Sequence, residues 1–206
     1  MSTPFIAFGR GVTSQAQAAT RREWLVTNGI GGYALGTVGG VLTRRYHGLL
    51  VAALQPPLGR TLLLARLDAT ARYDGRDYPL FAEDYGGETF APAGFRYLER
   101  FDLAGAVPVW TWALADARLE QCVWMQPGAN TTFIRYTLER ASRPMRLDWT
   151  AQTSARDSHE NLRGVTQPMR VQAVAHGLRV TAWDESASFV LLSDRASADA
   201  AGGAWR

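Results

Sequence analysis

Two short stretches concentrate the side chains able to do chemistry. Thr43-Arg44-Arg45-Tyr46-His47-Gly48 sets two guanidinium groups beside a phenol and an imidazole, and Arg156-Asp157-Ser158-His159-Glu160-Asn161 sets a second guanidinium-acid-imidazole run further along. Planar guanidinium forks hydrogen-bond neutral hydroxyls or anchor the carboxylates of a partner surface. The plainer alternative places Arg44 and Arg45 on opposite sides of a strand, one solvated and one ion-paired, with His47 a satisfied, half-buried histidine. Asp157 and His159 are spaced as in some metal or acid-base pairs, but one such spacing without a second cluster carries little signal, and an aspartate capping a turn in a solvated loop explains it equally. No Asp or Glu occurs between Glu23 and Asp68. That segment therefore lacks both the carboxyl pair that glycoside hydrolysis uses and the base and orienting acid of a nucleophilic triad. No residue is assigned as catalytic. Asp157 or Glu160 acting as general acid would be needed for a hydrolase or transferase complete in this chain. Both clusters sit at the ends of strands, where loops gather into sites, and they are candidates to face the same place.

The stretch Asn28-Gly-Ile-Gly-Gly-Tyr-Ala-Leu-Gly-Thr-Val-Gly-Gly40 carries Gly29, Gly31 and Ala34 at the spacing of a dinucleotide-binding turn. Such a turn needs a helix opening on it and an acid about 20 residues later. The chain instead continues with β-branched residues and glycine, and the acid is missing. The run therefore implies tight turns and close backbone approach rather than a pyrophosphate site, and no cofactor is expected.

All 22 basic residues are arginine. They are scattered and interleaved with acids instead of forming a stripe, which argues against nucleic acid as a partner. Cys122 is the single cysteine, so an intrachain disulfide and a multi-cysteine metal site are both excluded. The start lacks a charged segment followed by a long apolar core, and no run of about 18 apolar residues occurs, so no membrane partner is expected and a cytoplasmic location fits.

The elements that must position the two clusters read as strands. TLLLARLDA, ARYDGRDYPLF with Asp74-Gly75 at a hairpin turn, VPVWTWAL, RLEQCVWM, TTFIRYTLE and MRLDWTAQ follow one another between turn signals, and MRVQAVA, GLRVTAW and SFVLLSD add three more, turning at His176-Gly177 and at Asp184-Glu185-Ser186. Alternation places Leu119, Gln121, Val123 and Met125 on one face and Glu120, Cys122 and Trp124 on the other. With large apolar residues on both faces, the expected fold is all-β, a large antiparallel β-sandwich formed by residues 1–206 as one domain. SQAQAATRREW, residues 14–24, is the one helical candidate.

Aromatic rings suit the C–H faces of a sugar, while Arg, Asn, Asp and His bond its rim. Trp110, Trp112, Trp124 and Trp149 lie in strands and are expected in the core or on sheet surfaces. Trp24, Tyr33, Tyr46 and Tyr85 lie in glycine-rich or charged segments and are the better stacking candidates.

The segment EWLVTNGIGGYALGTVGGVLTRRYHGLLVAALQPPLGRTLLLARLD resembles the opening of the amino-terminal domain of bacterial and archaeal glycogen debranching enzymes of the amylo-α-1,6-glucosidase type. The resemblance continues through GFRYLERFDLAGAVPVWTW, LEQCVWMQPGANTTFIRYTL and ARDSHEN, and departs at GGETFAPAGFRYLE, where a more polar segment with proline and histidine is usual. It implies a sandwich of the large kind that precedes an (α/α)6 catalytic domain, with α-1,4/α-1,6-glucan and that domain as partners and the hydrolytic carboxylates in the helical part, ahead of which this chain is expected to be cut. The residues expected to contact substrate are Trp24, Asn28, Tyr33, Arg44, Arg45, Tyr46, His47, Arg156, Asp157 and His159.

Overall fold

A computed structural model describes residues 6–86, 89–161, 168–183 and 185–194. Two antiparallel sheets carry the architecture. A five-stranded sheet runs in the order Ile6–Gly9, Leu98–Ala104, Val107–Leu114, Ala117–Met125 and Thr132–Arg140. A six-stranded sheet runs Arg146–Asp157, Leu58–Tyr73, Gly48–Gln55, Tyr33–Thr37 and Glu23–Thr27, with Arg76–Pro79 also paired to Leu58–Tyr73. A three-stranded sheet, Arg170–Val174, Gly177–Thr181 and Ser188–Leu192, and a ribbon of Ala82–Asp84 with Phe90–Ala93 complete it. The all-β sandwich expected from the alternation is the fold observed.

The alternation also explains the packing. Leu119, Val123 and Met125 enter the main core, whereas Trp124 emerges on the opposite face, stacked on its cross-strand partner Phe133 at 5.2 Å. Trp24 of the six-stranded sheet meets Trp110 of the five-stranded sheet edge to face, with centroids 5.3 Å apart, and Trp110 also packs on Phe101. Trp110 Nε1 donates to Val38 O at 3.0 Å, while the buried Trp112 Nε1 has no partner among the described residues. At the expected hairpin, Asp74 and Gly75 both take positive φ, 49° and 73°, the requirement of a two-residue turn that matches strand twist. His176 turns similarly at φ 64°. Asp184 lies outside the described residues.

The helical expectation holds over part of its span. Among the described residues, helix is confined to Arg10–Thr13 and Ala16–Thr20, with a 3-10 turn at Gly94–Tyr97. Glu23 and Trp24 belong to a strand whose alternate residues, Trp24 and Val26, are buried, so burial on a period of two takes over after the helix and removes Glu23 and Trp24 from it. Among the described residues no helix is long and apolar enough to cross a membrane.

One end of the sandwich is stitched by the segment that mimics a nucleotide turn. Asn28, 1% exposed, accepts from Ile30 N and Gly32 N through Oδ1 and donates through Nδ2 to Ala129 O and Asn130 Oδ1. Asn130 in turn exchanges bonds with Ala53 N and O, and Gly128 N donates to Asn28 O at 2.7 Å. The turn of the five-stranded sheet is thereby sewn to one loop and one strand of the other. A Cβ at Gly32 would stand 2.5 Å from Asn28 Nδ2, and one at Gly31 would stand 2.5 Å from Pro57 O, which is why glycine fills both positions.

Candidate functional site

The loop between Tyr33–Thr37 and Gly48–Gln55 carries the first cluster. His47 N donates to Arg44 O, closing a turn that brings both side chains back to Glu23 on the edge strand. Arg44 Nε lies 2.9 Å and His47 Nε2 3.0 Å from the same oxygen, Glu23 Oε1. Because Thr43 N–H donates to His47 Nδ1 at 3.1 Å, the imidazole proton belongs on Nε2, which donates to Glu23. Burial pulls the His47 pKa below its ordinary value, against the opposing pull of Glu23, so the ring is neutral at physiological pH. With 1% of its surface exposed and both nitrogens engaged, His47 supports the loop from beneath.

Arg45 and Tyr46 point the other way, toward the second cluster. Arg45 Nη2 donates to Tyr46 Oη at 2.9 Å, and its guanidinium lies 4.9 Å from the Tyr46 ring centroid. Tyr46 Oη is 3.3 Å from His159 Nδ1, and the two rings meet edge to face at 5.7 Å. Arg156 joins the loops: it donates to Arg45 O at 2.6 Å, to Glu160 O at 2.7 Å and to Asp157 O at 3.2 Å. Asp157 Oδ1 accepts from His159 N at 2.8 Å, the turn cap foreseen as the plainer reading of that residue. Ser158 N donates to Arg60 O, and Arg60 Nε donates to Gly31 O at 2.8 Å, which draws the glycine loop into the same corner.

Tyr33 lines this corner half-buried. Burial raises its phenol pKa, and the positive charges of Arg60 and Arg156 work against that rise. Burial lowers the pKa of Arg156, with the Arg45 charge acting in the same direction, yet a guanidinium stays cationic at any physiological pH. Among the described residues, no carboxylate pairs with Arg45, Arg60 or Arg156 within salt-bridge distance; their acceptors are backbone carbonyls and a phenol. The corner is consequently rich in donors and positive in charge.

The two stretches singled out in the sequence thus meet: Tyr33, Arg45, Tyr46, Arg156, Asp157 and His159 share one corner, with Arg44 bonded to the neighbouring Glu23. Three of the expected contacts lie elsewhere or inward. Trp24 is 6% exposed in the main core, Asn28 is consumed by the stitch between the sheets, and His47 is sealed under its own loop, so none of the three presents a free face to a ligand. Arg60 and Glu23 were not anticipated. An isolated arginine after a Pro-Pro turn and a lone acid opening a strand carry no motif, and only the folded registers bring them to the corner.

The fold defines an antiparallel β-sandwich domain with a donor-rich corner of loops. A family model described as glycogen debranching enzyme N terminal matches residues 22–205. The chain belongs to that family. No curated protein and no solved structure matches.

Proposed function

We propose that this domain holds α-glucan at the Arg45–Tyr46–Arg156–His159 corner and presents it to the (α/α)6 catalytic domain of a debranching enzyme, acting in the cytoplasm. The single observation that carries the reading is the meeting of the two clusters through the Tyr46–His159 contact and the Arg156 clamp, which leaves a ring face and several N–H donors at one exposed corner. Sugar hydroxyls accept from guanidinium and imidazole N–H groups, and the Tyr46 ring offers an apolar face to a pyranose. Isothermal titration with maltooligosaccharides tests it. Heat of binding at millimolar ligand, lost in Tyr46→Ala, is the expected result; no heat from the unmodified chain ends the reading.

A second reading makes the corner an interdomain contact, favoured by the three guanidinium groups that lack carboxylate partners. On that reading Arg45→Glu weakens capture of a separately produced catalytic domain and leaves sugar affinity unchanged. Hydrolysis by this chain alone is the third possibility. It requires glucose release from a branched dextrin that disappears in Asp157→Asn, and the engagement of Asp157 Oδ1 by the loop backbone argues against it.

A further inference from the structure

A second polar cleft, of about 230 Å³, opens beside the corner and is used by none of the contacts above. Its floor is built on the six-stranded sheet. Ala69, Ala71 and Tyr73 face the core, so Arg66 and Asp68 alternate to the outer side, where Gln152 stands opposite Arg66 on the neighbouring strand. Arg66 donates to Ala82 O at 3.1 Å, to Asp68 Oδ2 at 3.1 Å and to Glu83 Oε1, while its guanidinium covers the Phe81 ring at 5.2 Å. Gln152 Nε2 donates to Asp68 Oδ2 at 2.8 Å, and Tyr85 Oη donates to Glu83 Oε2 at 2.9 Å. Leu42, 37% exposed, forms an apolar wall, and Tyr85, 68% exposed, stands at the rim.

The composition of the cleft restricts its ligand. Two carboxylates meet one guanidinium, so the cleft carries an excess of acceptors and repels an anion. Burial pushes the Glu83 carboxyl up, but the bonds from Tyr85 and Arg66 outweigh it and leave the pKa below the ordinary value, which keeps an ionised acceptor facing the cleft. No group of three or more His, Cys, Asp or Glu able to hold a metal ion occurs among the described residues. A neutral molecule bearing several hydroxyls and apolar C–H faces fits what is left: hydroxyl protons for Glu83 and the Gln152 carbonyl, a ring face for Tyr85, and Leu42 against the opposite side.

The position of the cleft supplies the second half of the argument. Leu42 and Tyr46 lie on one loop, and Gln152 and Arg156 on one strand, so each of two elements lines both places. Two register shifts fall between Gln152 and Arg156, so these four residues span at most about 13 Å, well within the reach of an oligosaccharide. We infer that the Arg66–Glu83–Tyr85–Gln152 cleft is a second pyranose subsite, and that one linear glucan lies along the outer side of the six-stranded sheet with one part at the donor-rich corner and another in this acceptor-rich cleft. The inference rests on the glucan reading of the corner and adds to it an acceptor-lined subsite and a direction for the chain.

Titration of the intact chain with maltose and with maltohexaose separates the two. Tyr85→Ala is expected to weaken maltohexaose about fivefold, the loss of one stacked ring, while maltose heats stay unchanged. Gln152→Ala behaves in the same way, and Tyr46→Ala weakens both sugars. Tyr85 is exposed enough that its removal leaves the fold intact, which an unchanged melting temperature verifies. If Tyr46→Ala weakens binding but Tyr85→Ala and Gln152→Ala leave maltohexaose affinity as it was, the cleft is only a clamp for the ribbon and the inference falls while the corner reading stands. If neither sugar binds the unmodified chain, both fall.

Discussion

Replacing Asn28 by alanine removes four hydrogen bonds from a side chain that is 1% exposed. At a net of about 0.5–1.5 kcal/mol each, the bonds sum to about 2–6 kcal/mol. Part of this is recovered, because Ile30 N is only partly buried and can turn to water, and Asn130 Oδ1 keeps its bond from Ala53 N. Gly32 N is buried and is left without an acceptor, so the loss settles at about 3 kcal/mol. With a urea dependence of about 2–3 kcal/mol per molar, the unfolding midpoint followed by tryptophan fluorescence should fall by about 1–1.5 M. Asn28→Asp sharpens the test. It retains the acceptor for Ile30 and Gly32 but turns a carboxylate oxygen toward Ala129 O and Asn130 Oδ1, where the amide had donated. That repulsion raises the folded-state pKa of the new carboxyl above its unfolded value, so the folded form binds a proton first and the variant regains stability as pH falls through the folded-state pKa, the recovery being complete below the unfolded value. A loss under about 1 kcal/mol in Asn28→Ala, or no acid recovery in Asn28→Asp, would refute the claim that this side chain holds the two sheets together.

Gly32→Ala should destabilise by about 2 kcal/mol through overpacking against Asn28 and Asn130, and in a double-mutant cycle with Asn28→Ala the double variant should lose less than the sum of the two single losses, since both act on one contact. His47 has its pKa lowered by burial from an ordinary value of 6.5, so the unfolded chain binds the proton first; its contribution is full above that value and is lost as pH falls through 6.5 toward the folded-state pKa, and His47→Gln should flatten this part of the stability profile. Trp110→Phe should cost about 1 kcal/mol more than Trp112→Phe in urea unfolding, because Trp110 gives up an indole hydrogen bond and Trp112 makes none among the described residues. In each case the same fluorescence or circular dichroism titration reads the result.

The strands were legible because burial on a period of two leaves its mark residue by residue, as in the alternation from Leu119 to Met125, and because Asp74-Gly75 can hardly be anything but a turn. The helix is legible only in part: alanines and glutamines around residue 17 favour and form helix at Ala16–Thr20, but Glu23 and Trp24 leave it because Trp24 is claimed by a tertiary contact with Trp110 that no local pattern announces. The two functional stretches were visible as residue types. Their meeting depends on Arg156 reaching Arg45 O across 111 positions of sequence, a fact of register and bulges in the strand Arg146–Asp157. Buried asparagine is the hardest case. In the sequence Asn28 reads as a loop residue free to meet a ligand, and only the approach of the 126–131 turn turns it inward.

The perpendicular pair formed by Trp24 and Trp110, one indole from each main sheet, also has an optical consequence. Electronic transitions of two indoles at 5.3 Å and 87° couple as excitons, with a strength that falls as the cube of their separation. That coupling adds to the dichroism of the folded chain a signal tied to the gap between the layers, and it reports their parting even while each layer keeps its strands.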